Sequence, residues 1–106
     1  MKKQDKIDLM VSEIMQGEPI PIIFDPYKNA VDCMVLWEKF SRGQFVEICS
    51  YAVSGDWVAK RLNKRYETNL EIAAEGNDML EAMCECMYKA SRMDMKNPKV
   101  NAQRIN

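Results

Sequence analysis

Residues 78–93 read DMLEAMCECMYKASRM, and the reading of this stretch decides the fold. Asp78, with Glu81 three residues on, has capping-box spacing: the first carboxylate accepts from free backbone N–H groups at a helix start and the second supports it. Both acids stand at the positive end of the helix macrodipole, while Lys89 and Arg92 stand near the negative end. Leu80, Met83, Cys84 and Met87 recur at 0, 3, 4 and 7, one side of a 3.6-residue helix. Met79, Met83, Cys86, Ala90 and Met93 form a second row at 0, 4, 7, 11 and 14. Two adjoining rows predict a helix covered by more than one neighbour, with Leu80 in the core. The alternative is a plastic, Met-rich binding surface, but buried Met and Cys are ordinary and the core reading is preferred.

Moving back from that helix, Glu75-Gly76-Asn77 reads as a turn, and before it Tyr66 to Ala74 (YETNLEIAA) alternates polar and apolar residues as a third strand would. Phe45, Glu47, Cys49 and Tyr51 alternate with Val46, Ile48 and Ser50, a run rich in β-branched and aromatic residues. Ser54-Gly55-Asp56 is a turn signal, and Trp57 to Asn63 returns as the partner strand of a hairpin. Upstream, a helix starts between Pro26 and Ala30, capped either by Asp25–Pro26 or by Asn29 with Asp32, and ends near Ser41 before Gly43. Ala30, Cys33, Met34 and Trp37 are expected to share its inner side, widened by Leu36 and Phe40. The segment EPIPIIFDP cannot be helical, because Pro19, Pro21 and Pro26 hold their predecessors extended. Ile22 to Phe24 adds a short strand or lies over the core. From Asp5 to Gln16, Ile7, Met10, Val11, Ile14 and Met15 fall at 0, 3, 4, 7 and 8, an amphipathic helix that Gly17 is expected to end in a left-handed cap. Residues 94–106 lack periodicity and read as a loose tail. The element order is α-α-β-β-β-α, which predicts a single α+β domain over residues 1–106, its core at about 5–93, with a small antiparallel sheet sandwiched between helices.

Composition narrows the class of function. The 106 residues suit one modest core, and 47% hydrophobic with 29% charged residues is ordinary for a globular chain. Fifteen basic and sixteen acidic groups leave a net charge of −1, which argues against long nucleic acid or an anionic membrane as partner. There is no apolar run of membrane-spanning length and no signal-peptide pattern, so a cytoplasmic protein is expected. Cys33, Cys49, Cys84 and Cys86 occur without any histidine, and Cys84 and Cys86 sit two apart on a helix and point away from each other. No metal site and no cofactor is expected; the cysteines read as packed thiols of a reducing compartment. Without histidine, a nucleophile elbow or a glycine-rich phosphate loop, no catalytic set is recognisable and a non-enzyme is expected.

Several motifs resemble the phage ABA-sandwich domain, a family of small bacteriophage and prophage proteins. They are KIDLMVSEIMQGE at the start, DPYKNAVDCMVLWEKF in the second helix, FVEI and WVAK in the hairpin, and NDMLEAMCECMYKA at the end, together spanning about residues 6–92. The departures are Trp37 where relatives carry their mid-helix tryptophan near Met34, and Met and Cys in the last helix where relatives have Leu and Ala. The resemblance implies a sheet packed between helices, a bacterial host cytoplasm and no assigned activity.

One charged cluster invites a binding role. Lys60, Arg61, Lys64 and Arg65 follow Trp57, and strand alternation puts Trp57 and Arg61 on one face. An aromatic ring that stacks on a base, beside a guanidinium that takes its phosphate in two hydrogen bonds, would hold an anionic nucleotide. The competing reading is a solvated edge strand with Trp57 in the core. From the resemblance, the first functional expectation is an oligomeric phage accessory protein that sequesters a nucleotide signal of host defence through Trp57, Arg61, Arg65 and Tyr27. The second is an inhibitor that covers a host protein, and the third a purely structural, self-associating module.

Overall fold

The computed structural model describes residues 2–51, 54–62 and 70–96. Helix α1 (Lys3–Met10) widens at its end into a π-helical turn, Val11–Met15. A proline-rich loop leads to helix α2 (Ala30–Ser41), strands β1 (Phe45–Ser50), β2 (Trp57–Leu62) and β3 (Leu70–Gly76) follow, and helix α3 (Met79–Lys96) closes the series. The strands form an antiparallel sheet in the order β1-β2-β3. This is the expected α+β class and element order.

The helix ends show why the segments begin and stop where they do. At α3 the capping box is present in full: the Glu81 N–H donates to Asp78 Oδ1 at 2.8 Å, and the Asn77 N–H donates to Glu81 Oε1 at 3.2 Å. At α2 the cap is Asn29, whose side-chain oxygen accepts from the Asp32 N–H at 3.1 Å. Asp25 instead organises the loop before it, accepting from the Tyr27 N–H at 3.1 Å. The first helix ends one residue earlier than its glycine suggests. Gln16 takes the first left-handed position at φ 50°, and Gly17 takes the next at φ 88°.

Two boundaries differ from expectation. Strand β3 runs through the expected turn to Gly76, because Glu75 and Gly76 pair with Val58 and Trp57; Tyr66 to Asn69 lie outside the described residues. Helix α3 continues past Met93 to Lys96, so residues 94–96 are not a tail, and Asp94 is fully buried. Residues 97–106 lie outside the described residues.

The enclosed layer is α3. One side of it meets the sheet face bearing Ala59, Ile72 and Ala74; α1, its π-helical turn and α2 pack on the remainder. Ala82, Met83, Cys84, Cys86, Met87 and Ala90 are all without exposed surface. Each buried methionine contributes about 1.5–3 kcal/mol of apolar burial. Leu80 and Met79, expected inside, are only partly buried at the first turn. The β3–α3 junction is so close that a Cβ added at Gly76 would stand 2.4 Å from the backbone nitrogen of Ala82, which only glycine avoids.

Helix α2 is rotated relative to expectation. Cys33, Leu36, Trp37 and Phe40 face the core, while Ala30 and Met34 are exposed, as are Val31 and Val35. The physical reason is polarity together with size. Asp32, Glu38, Lys39 and Ser41 all fall on the other half of the helix, so burial goes to the arc that is free of polar residues and carries the largest side chains, Leu36, Trp37 and Phe40, the last two stacked at a tilt with ring centroids 5.3 Å apart.

Candidate functional site

Among the described residues, the side chains singled out by sequence do not form one site. Arg61 is on the same sheet face as Trp57, as strand alternation requires, but that face is turned inward. Arg61 has 0% exposure and engages Asp94 through two contacts, Nη1 to Oδ2 at 3.1 Å and Nη2 to Oδ1 at 3.3 Å. Its guanidinium also lies 5.8 Å from the ring centre of Phe40 on α2. A guanidinium so enclosed holds the sheet, α3 and α2 together and does not present itself to a phosphate. Trp57 is half-buried against the core. Lys60 points to the opposite sheet face, where it lines a shallow hollow with Tyr51, Val58 and Glu75. Lys64 and Arg65 lie outside the described residues.

Tyr27 is elsewhere. Its hydroxyl donates to Glu85 Oε1 at 3.0 Å, and the same carboxylate takes the Lys6 ammonium at 3.1 and 3.3 Å. Burial, reinforced by the Glu85 carboxylate, holds this phenol well above its ordinary ionisation range. Glu85 and Asp94 are nine residues apart on α3, about 13 Å along the axis, so Tyr27 and Arg61 are tied to separate points. Tyr27 pins the proline-rich loop to α3. A second tie runs from Lys3 Nζ to Asp25 Oδ2 at 2.9 Å. Burial disfavours ionisation of Asp25, but Lys3, the Tyr27 N–H and Lys28 outweigh it and hold the carboxyl below the ordinary carboxylate range.

The cysteines divide as their spacing implies. Cys84 turns toward Cys33 of α2, and Cys86 lies toward Arg61 on the sheet side. Donation to Cys33 together with burial raises the Cys84 thiol, and burial pushes Cys86 up to about 12. Since the thiolate is the nucleophile, a buried thiol held this high stays protonated and unreactive at pH 8. Native protein titrated with dithionitrobenzoate at that pH is therefore expected to release colour promptly from half-buried Cys49 alone, and from all four thiols after denaturation. Prompt reaction of more than one thiol would contradict this packing. Among the described residues no three Cys, Asp or Glu side chains are grouped so as to hold a metal ion, and no helix is long and apolar enough to cross a membrane.

The surface feature that sequence reading passed over is in the proline-rich loop. Phe24 enters the core, but Ile22 and Ile23 are 103% and 87% exposed. Beside them an open cleft of about 590 Å³ separates the loop from the first helix. Ile7, Val11 and Ile20 form its apolar lining and Asp8, Ser12 and Asp25 its polar rim. A signal for this existed. That signal was incomplete: alternation would group Ile22 with Phe24, whereas the backbone bends at Ile22 and Ile23 and turns both outward. No protein-family model matches the chain, nor does any curated protein or solved structure.

Proposed function

We propose that this is a small, non-catalytic protein-binding module of a phage or prophage, acting in the host cytoplasm by covering a host protein. The docking element is the loop Ile20–Asp25 with the cleft beside it. The observation that supports this is the presentation of Ile22 and Ile23 at nearly full exposure on a backbone stiffened by Pro19, Pro21 and Pro26. A loop already ordered before contact loses little entropy on binding. The apolar lining and the carboxylates of Asp8 and Asp25 suit an apolar partner segment flanked by basic side chains. The phage setting rests on the sequence motifs alone. Nucleotide sequestration is set aside because Arg61, its central guanidinium, is engaged in the interior.

The test uses the double variant Ile22→Asp/Ile23→Asp. Both side chains are exposed, so folding stability is expected to stay within about 0.5 kcal/mol of the parent. Affinity capture from a bacterial host lysate is expected to recover a stoichiometric protein with the parent chain and to lose it with the variant. Undiminished recovery by the variant sinks the reading.

A further inference from the structure

Cys33 of α2 and Cys84 of α3 are both without exposed surface and meet where the two helices pack, the Cys84 thiol donating to the Cys33 sulfur. The other two cysteines stand apart from them, Cys86 on the sheet side of α3 toward Arg61 and Cys49 on β1. Helices that already bring two thiols into contact need only a small side-chain shift to join them, since bonded sulfurs stand about 2.05 Å apart. We propose that Cys33 and Cys84 form a modification site, a thiol pair that a hydroperoxide converts into a disulfide joining α2 to α3.

The contact divides the two roles that the chemistry needs. Donation from Cys84 outweighs burial and the Asp78 carboxylate and holds the Cys33 thiol below its ordinary range, so Cys33 is the sulfur that ionises first. Its thiolate attacks one oxygen of the peroxide, the O–O bond breaks, and the departing hydroxide takes up the thiol proton as water. The Cys84 sulfur then attacks the resulting sulfenic acid. The S–S bond forms, the S–O bond breaks, and the Cys84 proton leaves with that oxygen as a second water. Two electrons pass from the two sulfurs to the peroxide. Bulky reagents are excluded from this interior, whereas a molecule of two oxygen atoms enters through brief local openings. The pair also lies at the root of the proline-rich loop. Asp32, next to Cys33, accepts the Asp25 N–H at 2.9 Å, and Glu85, next to Cys84, accepts the Tyr27 hydroxyl at 3.0 Å. A bond between the sulfurs therefore fixes α2 to α3 at the level of both anchors of that loop. Its formation is independent of what the loop docks to.

The test treats the folded full chain carrying Cys49→Ser, which removes the half-buried thiol of β1, with millimolar hydrogen peroxide. Thiols counted with dithionitrobenzoate after denaturation are expected to fall from three to one, and dithiothreitol to return them to three. This count is blind to methionine oxidation. Cleavage after Glu85 separates Cys84 from Cys86, and the cross-linked fragments are expected to carry Cys33 and Cys84. The oxidised chain should melt about 5 °C or more above the reduced one, because the bond closes a long loop in the unfolded state. Cys33→Ala and Cys84→Ala should each leave no cross-link, whereas Cys86→Ala should keep it, with far-UV circular dichroism verifying the fold of each. The fragment map of the chain with all three thiols decides the matter even where an alanine variant does not fold. Three thiols surviving, a cross-link through Cys86, or Cys33 oxidised to a sulfinic acid without a cross-link overturns the proposal. An oxidised chain that melts no higher than the reduced one overturns it as well.

Discussion

Replacing Asp94 by alanine is expected to cost about 3–5 kcal/mol of folding stability, read as a shift in the urea unfolding midpoint. Asp94 and Arg61 are both fully buried, and their paired contacts at 3.1 and 3.3 Å neutralise each other away from water. Removing the carboxylate takes from a buried guanidinium the group that engages both of its terminal nitrogens, a far greater loss than an exposed ion pair such as Glu38–Arg42 would show. The complementary expectation concerns the double change Arg61→Met/Asp94→Leu. Two apolar side chains of similar volume impose no ionic desolvation, so the double variant should be markedly more stable than Asp94→Ala. A midpoint for Asp94→Ala equal to that of the parent would mean that α3 does not carry the pair into the core.

Phe40→Ala should be comparably damaging, at about 3–5 kcal/mol. The ring has no exposed surface, stacks at a tilt against Trp37 and lies beside the Arg61 guanidinium. Its loss opens a cavity where α2, α3 and β2 meet. The useful comparison is Leu80→Ala. The periodicity of α3 makes Leu80 look like core, but the structure leaves it partly exposed at the first turn, so that substitution should cost less than the roughly 2–5 kcal/mol of a fully buried leucine. Thermal unfolding of the two variants side by side would order them, and a larger effect at Leu80 than at Phe40 would contradict the packing described.

Much of the architecture was legible because it depends on local rules. The Asp78–Glu81 box, the Asn29 cap and the alternation in β1 and β2 are each set by neighbours a few residues away, and each appears in the structure. What escaped reading depends on comparison between faces. Helix α2 carries apolar residues on both halves, and the arc with Leu36, Trp37 and Phe40 turns inward because it holds the largest side chains and none of Asp32, Glu38, Lys39 and Ser41. Arg61 illustrates the same difficulty on the sheet. Alternation correctly grouped it with Trp57, but grouping residues on a face does not say whether that face is wet. The clue lay in the helix: Met83, Met87, Ala90 and Asp94 continue one row at 0, 4, 7 and 11, so an acid ends an otherwise apolar stripe. An acid at such a position calls for a buried cation, and Arg61 supplies it. Ile22 and Ile23 were hidden by their hydrophobicity, which reads as core, and the bend that turns both of them outward has no local signal in the sequence.

The place of α3 in the chain has a consequence for synthesis. The layer that both the sheet and the other helices lean on is encoded after all of them, over Met79–Lys96. A nascent chain that has grown only as far as Gly76 already contains α1, α2 and three strands, but not the surface that their apolar sides require. Leu36, Phe40 and Ala59 must wait, solvated or loosely collapsed, and Arg61 must wait for a carboxylate thirty-three positions downstream. The strand ladders can therefore pair before α3 is made, but the apolar face of the sheet and the inner sides of α1 and α2 gain their cover only when it arrives.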